Sequence, residues 1–301
     1  MTTRAQSPDR RPVLLERDLR GAVVLVTGGG RGLGRVMAMA LSAAGASVGL
    51  IARSRDQLDE TVRLVAETGG TAAAAAADVS DERSAAEAIG SLRNCLGPVD
   101  VLVNNAGVAG PIGRVWEVDP DQWWRTVEIN LKGVLVCTRL VLSDMIGRGG
   151  GRIINVTSEA GVYRWPNVSA YAVSKSAVVK FTENLAAETK REGVVVLSVH
   201  PGLHAVGLTE TVLAHDALPG SAQAEVADWL RKELTGQRAA CPERAAELIV
   251  RLAAGGGDAL SGRHLSVHDD LDRLIERVAD IRRDDLCTLR LRPGGSARCA
   301  Y

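Results

Sequence analysis

The chain has 301 residues, a length that suits one large α/β domain or two small ones. Its 36 lysines and arginines balance 36 aspartates and glutamates, so no basic excess favours nucleic acid or a membrane surface. Five cysteines are scattered without a CxxC pair and no apolar run is long enough to span a bilayer, so we expect a soluble cytoplasmic protein with reduced thiols and no metal site.

Strands and helices alternate from the first apolar run to residue 268. The predicted strands are 22–26, 46–53, 71–80, 99–107, 151–158, 194–202 and 261–267. Helical patterns fill 35–45, 55–70, 82–97, 122–149, 169–193 and 242–255. Because parallel strands need helical crossovers, the sequence predicts one α/β domain, a doubly wound (Rossmann) parallel seven-stranded sheet with helices on both faces.

Four segments are less regular. The run TAAAAAADVS from Thr71 favours helix by composition, but it lies where a third strand is due. Residues 1–20 are expected to form a flexible arm before a catalytic domain at 21–268. Residues 203–240 are long for a connection and are expected to form a substrate loop or lid. Residues 269–301 are expected to form an amphipathic helix and a tail.

The glycine-rich turn after the first strand, TGGGRGLG, fits the pattern TGxxxGxG. Glycines let the backbone approach a pyrophosphate, whose charge then lies at the N-terminus of the following helix. The alternative is a turn that only packs strand on helix. The residues expected to bind a dinucleotide here are Thr27, Gly28, Gly30, Arg31, Gly32, Leu33 and Gly34.

The end of the second strand indicates which dinucleotide is preferred. A carboxylate there would accept a hydrogen bond from the ribose 2′-hydroxyl of NAD, but the sequence reads Ala52-Arg53-Ser54. Arg53 and Arg31 suit a 2′-phosphate, so NADP(H) is favoured over NAD(H), unless both arginines are only solvated surface charges. Asp78 and Val79 follow the third strand and are expected to contact the adenine.

The glycine turn and the Asp78-Val79 pair are followed along the chain by NNAG at 104–107, YAVSK at 171–175 and HPG at 200–202. Together these motifs cover roughly residues 20–205. In that order and spacing the sequence resembles the short-chain dehydrogenase/reductase family. The resemblance implies that Asn104, Asn105, Ala106, Gly107, Pro201 and Gly202 line the cofactor site. It also implies a homodimer or homotetramer in which the apolar faces of the long helices pair between chains. The alternative is that these faces are buried within one chain.

The resemblance assigns the catalytic residues as Asn130, Ser158, Tyr171 and Lys175. Tyr171 would donate or accept the proton at the substrate oxygen, and Lys175, one helical turn on, would ease its ionisation and bond the nicotinamide ribose. Ser158 would donate to the substrate oxygen. Asn130 would hold a water against Lys175, unless it only bonds its own helix.

The sequence departs from the family where a threonine usually follows the PG pair; that position is Val206. Nicotinamide anchoring is therefore expected to differ.

Candidate substrate residues are Glu159, Ala160, Trp165, His204 and Trp229. Glu159, beside Ser158, could bind an amine or a hydroxyl, or face solvent. Trp229 could stack on a ring or only pack the lid. We therefore expect an NADP(H)-preferring oxidoreductase that acts on a carbonyl or alcohol carbon of a small molecule. Two alternatives remain: reduction of a C=N or C=C bond, and a cofactor-binding regulatory protein without chemistry.

Overall fold

The computed structural model describes residues 18–215, 217–236 and 239–291. Seven strands form one parallel sheet in the order β3-β2-β1-β4-β5-β6-β7. They are β1 (Val23–Thr27), β2 (Ser47–Ala52), β3 (Thr71–Ala76), β4 (Val101–Asn104), β5 (Gly151–Val156), β6 (Val194–His200) and β7 (His264–Ser266). The predicted fold class and all seven predicted strands are confirmed.

The alanine run is a strand despite its composition. β3 pairs with β2 along its length, with Ala72 opposite Val48 and Ala76 opposite Ala52. A complete ladder of backbone hydrogen bonds outweighs helix propensities of a few tenths of a kcal/mol per residue, roughly. The position of this segment in the alternation of strands and helices therefore predicted its secondary structure better than its residue types did.

Helices cover both faces of the sheet. Their bounds are α1 (Gly32–Ala43), α2 (Arg55–Glu67), α3 (Glu82–Leu96), α4 (Pro120–Val127), α5 (Gly133–Gly147), α6 (Ser169–Glu188), α7 (Leu208–Leu213), α8 (Ala222–Glu233) and α9 (Pro242–Ala253). Met37 of α1 and Ile249 of α9 are fully buried in the core on one face. Ile89 of α3 and Val141 of α5 are buried in the core on the other. The predicted lid, 203–240, contains α7 and α8.

The helix predicted over 122–149 is not uniform. A π-helical turn, Glu128–Lys132, separates α4 from α5. It carries Asn130, whose side chain is 0% exposed. π-Turns inside helices are frequently found at functional sites, and this one faces the cavity region described below.

The C-terminal helix is also divided. α10 (Leu271–Glu276) and α11 (Val278–Arg283) are separated at Arg277, whose φ of −100° and ψ of 15° leave the helical region. Leu271 and Ile281 are buried in the core as the amphipathic pattern predicts. The following segment reaches the sheet edge, where the His264 backbone N–H donates to Cys287 O at 2.8 Å.

The predicted N-terminal arm ends earlier than residue 20. Leu19 is 4% exposed, and its N–H donates to Ala44 O at 2.9 Å, so this end of the arm belongs to the core. The rest of the arm, 1–17, and the tail, 292–301, lie outside the described residues. Within the described part of the chain, no helix combines the length and apolar character needed to cross a membrane.

Candidate active site

A cavity of about 540 Å³ opens at the carboxyl ends of the strands. In open α/β sheets this is the edge at which ligands bind. Most residues predicted for the cofactor, the chemistry and the substrate line this one cavity: Gly28, Gly30, Arg31, Leu33, Gly34, Arg53, Asp78, Val79, Asn105, Ala106, Gly107, Ser158, Glu159, Ala160, Trp165, Tyr171, Lys175, Pro201, Gly202, His204 and Trp229. Thr27, Gly32, Asn104 and Asn130 do not line it.

Three of these four residues hold the cavity lining in place from behind. The Thr27 hydroxyl oxygen accepts from the N–H groups of Asn105 and Ala106, both at 3.0 Å. Asn104 donates to Asn155 Oδ1 at 2.9 Å and so links β4 to β5. Gly32, with φ of +52°, packs against Gly207, since a Cβ there would lie 2.7 Å from Gly207 Cα. These residues act on a ligand only through the backbone that they position.

Tyr171 and Ser158 meet inside the cavity. Tyr171 lies in the first turn of α6, and Ser158 follows β5, so the sheet edge and a helix start bring them together. The Ser158 hydroxyl is near enough to the phenol to lower its pKa. Ser158 Oγ accepts from Ala160 N at 3.2 Å. The serine hydroxyl keeps its proton and a second lone pair for the phenol oxygen or a substrate oxygen.

Burial raises the pKa of Tyr171, and the Ser158 hydrogen bond opposes that rise only in part. The expectation was that Lys175 would ease the ionisation of the phenol. In the structure, Lys175 Nζ lies 5.8 Å from the centre of the Tyr171 ring and donates to Val156 O at 2.9 Å. At neutral pH the phenol is therefore protonated, which is the form that donates a proton.

Lys175 is an unusually buried cation. Its side chain is 4% exposed, and burial lowers its pKa to about 8. Gly107 lies beside it, because a Cβ on Gly107 would be in van der Waals contact with Lys175 Nζ at 3.5 Å. The ammonium group thus has one backbone acceptor and faces the cavity with its remaining donors.

Asn130 is tied to two neighbouring segments. Its Oδ1 accepts from Val108 N at 2.8 Å, and its Nδ2 donates to Val108 O and to Ser174 Oγ, both at 3.0 Å. The side chain therefore fixes the loop after β4 against α6, the helix that carries Tyr171 and Lys175. This geometry makes Asn130 a positioning residue.

The glycine turn has the shape of a phosphate cradle. A Cβ on Gly34 would lie 2.1 Å from Gly28 O, and Gly28 itself has φ of +69°. α1 begins at Gly32 and has no side-chain cap at its N-terminus, unlike α2, which Ser54 caps. The first N–H groups of α1 are therefore available to an anion at the cavity edge. These residues fit the pyrophosphate of a dinucleotide.

Two arginines flank this cradle. Arg31 donates to Thr211 Oγ1 at 3.2 Å through both terminal nitrogens, a neutral partner that leaves its charge uncompensated. Arg53 is exposed and makes no hydrogen bond or ion pair with any of the described residues. Both line the cavity, so both charges are available to a phosphate there.

The cavity residue Asp78 has a partner, Arg125, that the sequence did not single out. Asp78 accepts from Ser80 N at 2.9 Å and from Arg125 at 2.5 Å. Burial would raise the pKa of Asp78, but the hydrogen bonds from Ser80 and Arg125 outweigh it and lower the pKa. Arg125 comes from α4 and is far from Asp78 in sequence, so only the fold brings them together.

On the substrate side, Glu159 faces a histidine that the sequence did not single out. The Glu159 N–H donates to His200 Nδ1 at 3.2 Å, and His200 Nε2 lies 3.8 Å from Glu159 Oε1. The backbone donor assigns the lone pair to Nδ1 and the proton to Nε2, which faces the carboxylate. Glu159 is thus a partnered carboxylate in the cavity wall.

His204 is not a solvated loop histidine. Its side chain is buried, Nδ1 donates to Ala240 O at 2.8 Å, and burial lowers the pKa of its imidazole. It is therefore neutral near pH 7. Among the described residues, no group of three or more histidines, cysteines and carboxylates is arranged to hold a metal ion.

The comparisons with known proteins agree with this architecture. A family model described as short chain dehydrogenase matches residues 22–217. A short chain dehydrogenase of Pseudocercospora fijiensis is 35% identical over 271 residues, which cover 89% of this chain and 86% of the relative. The chain belongs to the short-chain dehydrogenase/reductase family and is an oxidoreductase of that family.

Two further relatives have more specific names. A 2-dehydro-3-deoxy-L-rhamnonate dehydrogenase (NAD(+)) of a Sphingomonas species is 35% identical over 234 residues, 78% of this chain and 88% of the relative. The crystal structure of a putative NAD(P) dependent gluconate 5-dehydrogenase from Beutenbergia cavernae with bound NADP has a TM-score of 0.74 and 32% identity. That match covers 84% of this chain and 97% of the solved one.

Proposed function

We propose that this protein is an NADP(H)-preferring oxidoreductase that moves hydride between the nicotinamide and a carbonyl or alcohol carbon of a small molecule. The observation that carries the proposal is that Ser158, Tyr171 and the buried Lys175 line one cavity together with the phosphate cradle. The proposal includes assembly as a homodimer or homotetramer, which the molar mass from light scattering tests.

Each part of the cofactor is assigned to a different set of cavity residues. The glycine turn and the start of α1 hold the pyrophosphate, Arg31 and Arg53 hold a 2′-phosphate, and Asp78 faces the adenine. Lys175 donates to the ribose hydroxyls, and Pro201 and Gly202 support the nicotinamide. When bound, the reduced nicotinamide supplies the hydride and the oxidised one accepts it.

In the reductive direction, Ser158 and Tyr171 both donate hydrogen bonds to the carbonyl oxygen of the substrate. As hydride adds to the carbonyl carbon, the C=O π pair moves to oxygen, which takes the proton of Tyr171 and becomes the alcohol. The donors stabilise the negative charge that develops on oxygen, and the nearby Lys175 ammonium stabilises the phenolate left behind. Solvent then restores the Tyr171 proton. Oxidation reverses each transfer.

The Tyr171→Phe variant tests the proton donor, because it removes the hydroxyl and keeps the ring. General acid catalysis contributes about 10²–10⁴-fold, so we expect kcat to fall by that factor. NADPH affinity, measured by fluorescence titration, should change by less than about 3-fold, since the cofactor phosphates are bound elsewhere.

Tyr163→Phe is the matched control, because Tyr163 also lines the cavity but is 64% exposed, whereas Tyr171 is buried among the apolar side chains. Turnover of Tyr171→Phe near the wild-type rate on any accepted substrate would contradict the mechanism. Firm NADPH binding by the wild type, with no turnover across ketones, imines, quinones and 3-oxoacyl thioesters, would instead support a regulatory protein.

The cofactor preference is tested by Arg53→Ala. A lost charge-assisted hydrogen bond to phosphate corresponds to about 1.5–3 kcal/mol, or roughly 10–100-fold weaker NADPH binding. The dissociation constant for NADH should stay within about 3-fold, because NADH has no 2′-phosphate.

Arg55→Ala is the control, since Arg55 is equally exposed and pairs with Asp59 at 2.9 Å on the outside of α2. Tighter binding of NADH than of NADPH by the wild type would contradict the assignment of Arg31 and Arg53.

One observation favours a second reaction. Glu159 places a carboxylate in the cavity wall beside Ser158, where it could bind an amine-bearing substrate. Reduction of a C=N bond would use the same hydride and the same proton donor. Turnover of cyclic imines at a higher kcat/KM than of the matching ketones would select this reaction.

A further inference from the structure

The substrate side of the cavity is lined by a separate apolar cluster. Its members come from the loop before α4, from the loop before α6 and the first turn of α6, and from the lid, and we call them the apolar wall. They are Ile112, Trp165, Val168, Tyr171, Leu203, Val212, Val226, Trp229 and Leu230. The ring of the proposed proton donor, Tyr171, is therefore part of an apolar surface. A substrate whose oxygen meets the Tyr171 hydroxyl must lie against this surface.

Two indole rings form the centre of the apolar wall. Trp165 and Trp229 have ring centres 4.7 Å apart and planes inclined at 46°. Trp165 precedes α6 and Trp229 lies on α8, so the pair joins the lid to the catalytic helix. Both rings line the cavity and stay partly exposed although they touch each other. Flat, partly exposed indoles offer a large contact area to a ring.

Polar partners are scarce on the lid side. From Leu203 to Leu230, the cavity-lining side chains with polar atoms are His204, Thr209 and Trp229, which has a single indole N–H; the others described there are apolar or glycine. His204 already gives its Nδ1 proton to Ala240 O. A polyhydroxylated substrate would lose the hydrogen bonds between its hydroxyl groups and water there, and few protein groups could replace them. Its binding is therefore unfavourable.

We infer that the substrate is an apolar, ring-bearing ketone or the corresponding alcohol, seated against the apolar wall with its oxygen between Ser158 and Tyr171. This rests on the proposed function and adds the chemical class of substrate to it. The lid then serves recognition: it supplies Val212, Val226, Trp229 and Leu230, and it covers the hydrocarbon part of the substrate from water.

The substrate class is tested first by three ketones reduced with NADPH: 2-tetralone, cyclohexanone and D-fructose. Each buried methylene is worth about 0.8 kcal/mol, roughly 4-fold, so the four added ring carbons of 2-tetralone should raise kcat/KM by about 200-fold over cyclohexanone. D-Fructose should give no measurable turnover.

Trp229→Ala tests the apolar wall itself. It should raise KM for 2-tetralone about 10-fold or more while KM for cyclohexanone changes less than about 3-fold, because only the larger ring reaches the lid. Trp229→Phe should recover most of the affinity, and unchanged NADPH binding shows that each variant is folded. Trp116→Ala is the control, since Trp116 is 77% exposed and does not line the cavity.

The failures are distinguishable. Turnover of D-fructose at or above that of 2-tetralone, or an equal loss for both cyclic ketones in Trp229→Ala, would overturn the substrate class and leave the proposed function standing. Inactivity towards every carbonyl and alcohol tested, with NADPH bound, would overturn both.

Discussion

At the scale of single residues, Lys175 is the group that the fold least readily accommodates. A free lysine side chain has a pKa of 10.5, whereas burial lowers that of Lys175 to about 8. Below pH 8 the ammonium is charged in both the folded and the unfolded chain, so its desolvation penalty is present in full. One pKa unit corresponds to about 1.4 kcal/mol, so this penalty is on the order of 3 kcal/mol. The protein thus keeps a destabilising charge at the centre of its cavity.

This predicts an unusual pH dependence of stability. Between pH 8 and 10.5 the unfolded lysine keeps its proton while the folded one has lost it, so stability rises with pH. Urea denaturation measures the free energies of unfolding of the wild type and of Lys175→Met. The wild-type value minus the Lys175→Met value should therefore increase by about 2 kcal/mol between pH 7 and pH 9.5.

Lys180→Met is the matched control, because Lys180 lies on the same helix, is exposed and pairs with Glu183 at 2.8 Å. The difference in free energy of unfolding between Lys180→Met and the wild type should stay constant over the same pH interval. An equally flat difference for Lys175→Met would show that the pKa of Lys175 is ordinary.

At the scale of elements, the regular part of the fold was predictable and the interruptions were not. The seven strands follow from short apolar runs that alternate with helical patterns, a signal repeated along the whole chain. The π-turn at Glu128–Lys132 depends on Asn130 bonding Val108 and Ser174, partners on other elements. The break at Arg277 likewise has no local signal such as proline or glycine. Neither interruption could therefore be predicted from the local sequence.

The candidate site shows the same division. The family motifs placed Ser158, Tyr171 and Lys175 in the sequence, and the structure brings them to one cavity. Arg125 and His200 were missed, because each acts through a partner that only the fold supplies. The Trp165–Trp229 contact was missed for the same reason: a lone tryptophan on a predicted lid gives no indication of what it packs against.

At the scale of the whole molecule, the C-terminal segment joins the catalytic helix to the sheet edge. Glu183, on α6, accepts from Lys180 Nζ at 2.8 Å, Leu289 N at 2.6 Å and Arg290 at 2.5 Å. Burial would raise the pKa of Glu183, but these hydrogen bonds outweigh it and lower the pKa. Together with the His264–Cys287 bond they hold the C-terminal segment against the edge of β7.

We expect Glu183→Gln to lower the free energy of unfolding by about 1–3 kcal/mol at pH 7, since it weakens charge-assisted bonds to a buried carboxylate. The folded pKa lies below the ordinary value of 4.5, so the stabilisation is present above pH 4.5 and is lost as the pH falls through the folded value. Thermal denaturation at pH 7 and pH 3.5 measures this loss.

Glu188→Gln, at an exposed position of the same helix, is the control and should have little effect at either pH. Equal stability of Glu183→Gln and the wild type at pH 7 would show that the charge of Glu183 does not stabilise the contact with the C-terminal segment.

The contact between Gly34 and the carbonyl of Gly28 has a consequence for inheritance. Every residue other than glycine carries a Cβ, and here that atom would lie 2.1 Å from an oxygen of the backbone, which cannot swing aside as a side chain can. Gly69 also has a positive φ, of +78°, but nothing lies within 4 Å of the Cβ that a substitution would add. Any missense change in codon 34 therefore disrupts the glycine turn, whichever residue replaces glycine, so a lineage keeps this turn intact or loses it in a single step.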